Sequence, residues 1–255
     1  MVEEYLARIG AARPARPDPM ALRDLQVRHL RTVPFENLSI HLGEEIVLDQ
    51  DALVEKVVRR RRGGFCYELN GAFAALLTAL GFRVTMLAAR VTAAGPDRPL
   101  FDHLALRVDL AEPWLVDVGF GSFSRHPLRL DERGEQTDPD GTFRIVEREY
   151  GDLEVFRDGE PQYRLETRPR TLADFEPTCW WQRTSPQSHF TRSLTCSLLT
   201  EDGRITLSGN RLIRTVAGTR QEQPLGSDAE VLAAYREQFG IVLDRVPAVA
   251  TPAAG

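Results

Sequence analysis

The apolar residues of this chain change their period once, at Gly81-Phe82. Before that point they recur every three to four positions, which is the spacing of one helix face. After it they gather in short runs separated by turn residues. Residues 2–9 read as a short helix closed by Gly10, and three prolines in Ala11–Pro19 mark a connector. Asp18 and Pro19 are a cap and a first-turn proline. They open a helix carrying Leu22, Leu25, His29, Leu30 and Val33, which Pro34 ends. Asp49 caps a third helix through Leu53, Val57 and Val58, which runs into Arg59-Arg60-Arg61-Arg62. Leu69, Phe73, Leu76, Leu77 and Leu80 put one apolar face on a fourth helix, with Gly81 at its stop.

Beyond Phe82 the strand candidates are Arg83–Leu87, Leu100–Leu110, Trp114–Phe120, Thr142–Glu147, Leu153–Arg157 and Tyr163–Thr167. A loop at Thr92–Pro99 contains Gly95-Pro96. Asp140-Gly141, Gly151-Asp152 and Asp158-Gly159 are tight-turn signals. Short strands with such turns suggest an antiparallel sheet or small barrel. Thr171–Gln182 reads as a helical connection interrupted at Pro177, with Trp180-Trp181 as core or interface packing rather than a cofactor box. Strands then follow at Ser193–Leu199, Ile205–Leu207 and Arg211–Val216. Ser227-Asp228-Ala229-Glu230 is a capping box opening a helix that ends near Phe239-Gly240. The expected division is 1–81, a helical bundle; 82–188, a barrel; and 189–255, an α/β lid with a loose tail from Ala248 to Gly255.

A chain of 255 residues, 42% of them hydrophobic, can bury a substantial core. A net charge of −5 with no dominant basic block argues against nucleic acid as the main partner. The acidic start, Met1-Val2-Glu3-Glu4-Tyr5, lacks the pattern of a signal peptide. No apolar run is long enough for a membrane span. Cys66, Cys179 and Cys196 lack metal-ligand spacing, so free thiols in a reducing cytoplasm and no metal are expected.

The chemistry centres on Arg62-Gly63-Gly64-Phe65-Cys66-Tyr67-Glu68-Leu69-Asn70. Two glycines break the backbone and a helix begins at once, so Cys66 sits at a helix N-terminus. Unpaired N–H groups and the dipole there favour a thiolate, the nucleophilic form. A free cysteine is more often a small buried hydrophobe, so a base must be found elsewhere. Arg59 to Arg61 read as solvated cations compensating a helix end; Arg62, beside the turn, stays open.

Of the five histidines, only His103 lies within an apolar strand run. A hairpin turning at Asp109–Glu112 sets His103 opposite Asp117 on the next strand, within about 5 Å at the β-carbons. Asp117 interrupts Trp114-Leu115-Val116-Asp117-Val118, where a carboxylate needs a partner. A His–Asp pair can be purely structural, or it can fix an imidazole tautomer for catalysis. With Cys66 it makes a candidate Cys–His–Asp triad. His29 reads as a core or cap residue, and His41, His126 and His189 as loop residues. Gly119-Phe120-Gly121-Ser122-Phe123-Ser124 reads as a tight turn, lacking the lysine and helix of a phosphate loop.

The segment Arg62–Asn70, with Pro34-Phe35-Glu36-Asn37-Leu38 before it, resembles the arylamine N-acetyltransferase family. His103-Leu104, Asp117-Val118-Gly119-Phe120-Gly121, and Ser185-Pro186 with Phe190-Thr191 match that family in order and spacing. The resemblance covers essentially the whole chain, and the motifs are specific as a set. It implies an α+β fold of helical bundle, antiparallel β-barrel and small α/β lid around a cysteine-protease-like core. It implies the triad Cys66, His103 and Asp117, with acetyl-CoA as co-substrate and a small aromatic amine or hydrazine as acceptor. By position it implies that Phe35 and Phe120 line an acceptor pocket. It sets Gly119, Gly121 and Ser122 near the CoA pyrophosphate, and makes Arg62 and Glu36 an ion pair bracing the turn. Residues after Gly203 diverge most, which leaves lid contacts to CoA open. The expected reaction is acetyl transfer through an acetyl-cysteine. The alternatives are a macrolactam-forming amide synthase or transglutaminase-like enzyme on the same triad, or a non-catalytic binding module. A cytoplasmic monomer or homodimer is expected.

Overall fold

The computed structural model describes residues 1–93 and 98–249. The Gly95-Pro96 turn and residues 250–255 of the expected tail lie outside them. The first elements are α1 (Val2–Ile9), α2 (Pro19–Thr32), β1 (Phe35–Glu36), α3 (Leu38–Leu42), α4 (Gln50–Val54) and α5 (Cys66–Ala79). Gly10 closes α1 at φ 64°, a left-handed cap that glycine adopts without strain. Asp18 accepts from the Ala21 N–H at 2.9 Å, and Asp49 from Asp51 and Ala52. The helix α4 continues as a π-helical stretch, Glu55–Arg59, so the third helix is less regular than its spacing predicts.

The expectation of one apolar face on α5 is corrected. Every residue from Cys66 to Leu77 is buried, including Glu68 and Asn70. The cause is its place between the other helices and the sheet, with β2 (Arg83–Val91) and β3 (His103–Asp109) packed against it. Such a helix is apolar all round, and its few polar groups must find partners in the interior.

The larger sheet adds β4 (Pro113–Val116), β5 (Leu128–Arg129), β6 (Gln136–Asp138), β7 (Gly141–Glu147), β8 (Leu153–Arg157) and β9 (Glu160–Arg170). Its order is β5-β4-β3-β2-β9-β8-β7-β6, and its neighbouring strands run antiparallel. The Gln136 side chain bridges the two edges, accepting from the Arg129 N–H at 2.7 Å and donating to the Arg129 carbonyl at 2.9 Å. The sheet is thereby a nearly closed barrel around Phe123, Phe143, Ile145, Val155, Tyr163 and Leu165. In β3, Leu104, Leu106 and Val108 join the core around α5, while Ala105 joins the barrel core. Burial on both faces explains why this run does not alternate with polar residues.

The last third carries α6 (Glu176–Thr184), α7 (His189–Arg192), β10 (Thr195–Leu199), β11 (Gly203–Ser208), β12 (Arg211–Val216), β13 (Thr219–Pro224) and α8 (Asp228–Phe239). Pro177 sits in the first turn of α6 and opens it rather than interrupting it. Trp180 is 64% exposed, so it is not core packing. The smaller sheet has the order β1-β10-β11-β12-β13. Its first strand comes from the far end of the chain: Phe35 pairs with Ser197 and Glu36 with Cys196. The lid is therefore not built from its own residues alone. Ser227 caps α8 through the Glu230 N–H at 3.3 Å, but the Glu230 carboxylate reaches Gly226 rather than Ser227, leaving half a capping box. Among the described residues no helix is long and apolar enough to cross a membrane.

Candidate active site

Two glycines allow the turn that delivers Cys66. A β-carbon on Gly63 would lie 1.9 Å from the Pro34 carbonyl oxygen, and one on Gly64 would lie 2.6 Å from the Glu68 β-carbon. The Glu36 N–H donates to the Gly64 carbonyl at 2.8 Å, tying the turn to β1. The helix α5 starts at Cys66, and Glu68 in its first turn accepts from the Phe65 N–H at 3.2 Å.

Beneath this turn lies a buried charge network. Arg62 pairs with Glu36 at 3.0 Å and with Glu44 at 2.9 Å. Lys56 pairs with Glu68 at 2.5 Å and donates to Ser39 Oγ at 2.8 Å. Burial pulls the Arg62 guanidinium toward neutrality, but Glu36 and Glu44 outweigh it and raise its proton affinity. For Glu68 burial wins over Lys56, so its carboxyl is held above the usual range. Arg62 and Glu36 were expected here; Lys56, Glu68 and Glu44 were not singled out. For Lys56 and Glu68 the signal is a charged residue at a position that helical spacing turns inward; Glu44, in the loop after α3, carries no such signal. Arg59, Arg60 and Arg61 are exposed, as a helix end predicts.

His103 and Asp117 do meet, though not in the expected register. The strands pair Leu106 with Val116 and Val108 with Trp114, which sets Ala105, not His103, level with Asp117. The slip is two residues, and side chains repeat every two, so both still face the barrel interior. Asp117 lies just past the end of β4, and its Oδ2 accepts from His103 Nε2 at 2.7 Å. Its Oδ1 accepts from Asn70 Nδ2 and the Gly119 N–H, each at 2.9 Å. Asn70 also accepts from the Val118 N–H at 2.9 Å, so α5 carries both the thiol and a residue that orients the carboxylate. Sequence reasoning gave Asn70 no role.

With Nε2 engaged, the other imidazole nitrogen, Nδ1, is left for the Cys66 thiol, whose interaction helps raise the basicity of His103. The thiol also lies 3.8 Å from the Asp102 carbonyl. Burial alone would depress His103, but Asp117 and Cys66 outweigh it and raise its pKa to about 10. The remaining histidines differ. His29 is buried against Phe73 with its pKa lowered to about 3 by burial and Arg8. His41 and His126 face Ser193 and Asp138.

Cys66 and His103 open onto a cavity of about 510 Å³ between the barrel and the smaller sheet. Phe35 and Phe120 line it, with Phe190 and His189, which were not singled out for it. The Phe120 ring meets His103 edge-on at 5.1 Å. Gly121, at φ 91°, passes the Phe35 ring. Gly119 has a steric reason to be glycine: a β-carbon there would lie 2.7 Å from the Cys66 α-carbon. Ser122 is exposed, within 3.4 Å of an Arg157 guanidinium nitrogen. Arg204 lines the same cavity and donates to Ser197 Oγ at 3.1 Å. Its pKa falls to about 10 through burial, which Asp140 only partly offsets. Among the described residues no group of three or more His, Cys, Asp or Glu could hold a metal ion.

Residues 19–248 match a family model described as N-acetyltransferase. The chain is 36% identical to an arylamine N-acetyltransferase of Mycolicibacterium smegmatis, over 94% of this chain and 91% of that protein. It is 35% identical to the arylamine N-acetyltransferase / N-hydroxyarylamine O-acetyltransferase of Salmonella typhimurium, covering 95% and 89%. It superposes on the Mycobacterium marinum arylamine N-acetyltransferase in complex with CoA at a TM-score of 0.85, with 34% identity over 94% and 93% of the chains.

Proposed function

This chain belongs to the arylamine N-acetyltransferase family, and from that premise we propose that it works by two acyl transfers through an acetyl-Cys66 intermediate. It is an acyltransferase with acetyl-CoA as co-substrate. The acceptors in this reading are arylamines, arylhydrazines and N-hydroxyarylamines, the last by likeness to the Salmonella relative. The observation that carries the reading is the Asp117–His103 hydrogen bond at 2.7 Å beside a thiol at a buried helix N-terminus, inside an aromatic-walled cavity.

His103 takes the Cys66 proton, and Asp117 stabilises the resulting imidazolium. The thiolate attacks the thioester carbonyl. The oxyanion that forms faces the first-turn N–H groups of Cys66 and Tyr67, which have no partner within the helix. The tetrahedral intermediate collapses, the CoA thiolate leaves, and the imidazolium returns a proton to it. The amine then attacks the acetyl-Cys66 carbonyl, His103 accepts its proton, and the Cys66 thiolate is released. Phe35 and Phe120 hold the acceptor ring and thin the water around the thioester, which favours amine over hydrolysis.

In the same proposal Gly119 sets the approach to Cys66, while Gly121 and Ser122 face the CoA pyrophosphate. The nearby arginines Arg125, Arg157 and Arg204 supply positive charge at that end. Arg62 and Glu36 brace the nucleophile turn. Units 1–81, 82–188 and 189–255 contribute the thiol, the His–Asp pair and the outer wall. A cytoplasmic monomer or homodimer fits the three free thiols, which a reducing compartment preserves.

Initial rates with acetyl-CoA and a hydrazine acceptor test the order of events. Parallel double-reciprocal lines are expected; lines that intersect would mean both substrates bind before chemistry.

A further inference from the structure

Arg98 stands in the cavity wall beside the nucleophile. Its Nε donates to Asp102 Oδ2 at 2.7 Å, while Asp102 Oδ1 accepts from the Val91 N–H at 2.9 Å. The backbone carbonyl of that same Asp102 faces the Cys66 thiol at 3.8 Å. One residue therefore links guanidinium and sulfur. A guanidinium carries five donors in a fixed fork. The Nη1 and Nη2 groups of Arg98 have no hydrogen-bond partner among the described residues, although the side chain is only 18% exposed.

The cavity gives these donors no carboxylate. Among the described lining residues the only acidic one is Asp102, and both its oxygens are engaged. His189 lies across from Arg98, with its pKa lowered by burial and then by the Arg98 charge. The cavity interior is thus short of negative charge, with cations at two places. Arg204, near Arg125 and Arg157, lies toward Ser197 and Ser122. Arg98 is tied to the residue that touches the sulfur, where an acceptor must bring its nitrogen.

Building on the reading of this cavity as an amine-acceptor site, we propose that Arg98 selects acceptors whose aromatic ring carries a carboxylate. With the amine at acetyl-Cys66 and the ring against Phe35 and Phe120, the carboxylate meets the Nη donors of Arg98. Aminobenzoate-type amines are the favoured class. A charge-assisted, largely desolvated contact of this kind is worth about 10–100-fold in kcat/KM.

The test compares 4-aminobenzoate with its methyl ester on wild type, Arg98→Gln and Arg98→Lys. Steady-state kcat/KM is read for each, together with the rate at which acetyl-CoA acetylates the enzyme. Wild type should prefer the acid by about 10–100-fold. Arg98→Gln should lower that ratio by about 10–100-fold, and Arg98→Lys should restore part of it. Comparing ratios between variants cancels the different nucleophilicity of the two amines and any general loss from disturbing Asp102. A wild type without acid preference overturns the proposal, as does a ratio that Arg98→Gln leaves intact. A loss confined to the acetylation step overturns it too, placing Arg98 on the donor phosphates. The ratio does not depend on the intermediate, so failure to form acetyl-Cys66 would sink the two-step reading and leave Arg98 to be judged separately.

Discussion

Replacing Asp117 with asparagine probes the site through one atom. Asparagine keeps an oxygen for the Asn70 and Gly119 donors that now bond Oδ1. It puts an NH2 where Oδ2 accepts from His103 Nε2. Two donors cannot share that 2.7 Å contact, so the imidazole must change tautomer, baring Nε2 and protonating Nδ1. The nitrogen facing Cys66 can then no longer take its proton. The loss of charge acts the same way. His103 is raised from 6.5 to about 10 because Asp117 overcomes burial. That gap corresponds to about 5 kcal/mol. Without Asp117, burial drives the imidazole below 6.5, and it no longer holds a proton taken from Cys66. Loss of the orienting aspartate in a triad typically costs about 10⁴-fold. Iodoacetamide alkylation of Cys66 and acetylation by acetyl-CoA, each followed from pH 5 to 9, should both slow by roughly three to four orders of magnitude. Near-UV circular dichroism should stay close to wild type. Wild-type alkylation with an unchanged pH profile in Asp117→Asn would show that Asp117 does not set the state of His103.

Other consequences follow from the same geometry. Gly119→Ala forces a methyl to within 2.7 Å of the Cys66 α-carbon. Acetylation should therefore fall at least about 100-fold, because misplacing a reacting group by about an ångström has that effect; a normal rate would show that the turn yields freely. Lys56→Met leaves Glu68 buried and unpaired, so urea unfolding should show a loss of about 3–5 kcal/mol, partly recovered in Lys56→Met/Glu68→Gln. Additive effects of the two changes would mean that the pair is not coupled. The raised proton affinity of His103 also links stability to pH. Its contribution is fully present below 6.5 and is lost as pH rises through about 10, so unfolding free energy should decline across that window. In Asp117→Asn the decline should vanish, and a decline of the same size there would assign it to another group.

Local signals read well wherever one local cause decides the outcome. Gly10, Asp18 and Asp49 cap the helices they were expected to cap, and β12 and β8 run as their alternation predicts. Cys66 begins α5 straight after a Gly-Gly turn that packs where no β-carbon would fit. What stayed hidden depends on contacts distant in sequence. The two residues of β1 are a strand only because β10 lies beside them, across 160 positions from Glu36 to Cys196. All six residues of β13 are exposed, so no apolar pattern announces it. The hairpin pairs two residues away from the register its turn suggests, because turn length alone does not fix register, and His103 still meets Asp117 because an even slip keeps both side chains on one face. Arg98 and Arg204 sit in ordinary-looking segments, and Asn70 and Phe190 lie within matched motifs without a local sign of their role; only the tertiary fold brings them to the site.

In the two-step mechanism the acetyl group rests on Cys66 between donor and acceptor. Intact-protein mass spectrometry after mixing with acetyl-CoA and no amine tests it most directly. The predicted result is a gain of one acetyl group, located on the Cys66 peptide, removed by an aromatic hydrazine and absent in Cys66→Ala. An enzyme that acetylates the hydrazine while never carrying the acetyl group on Cys66 would contradict it.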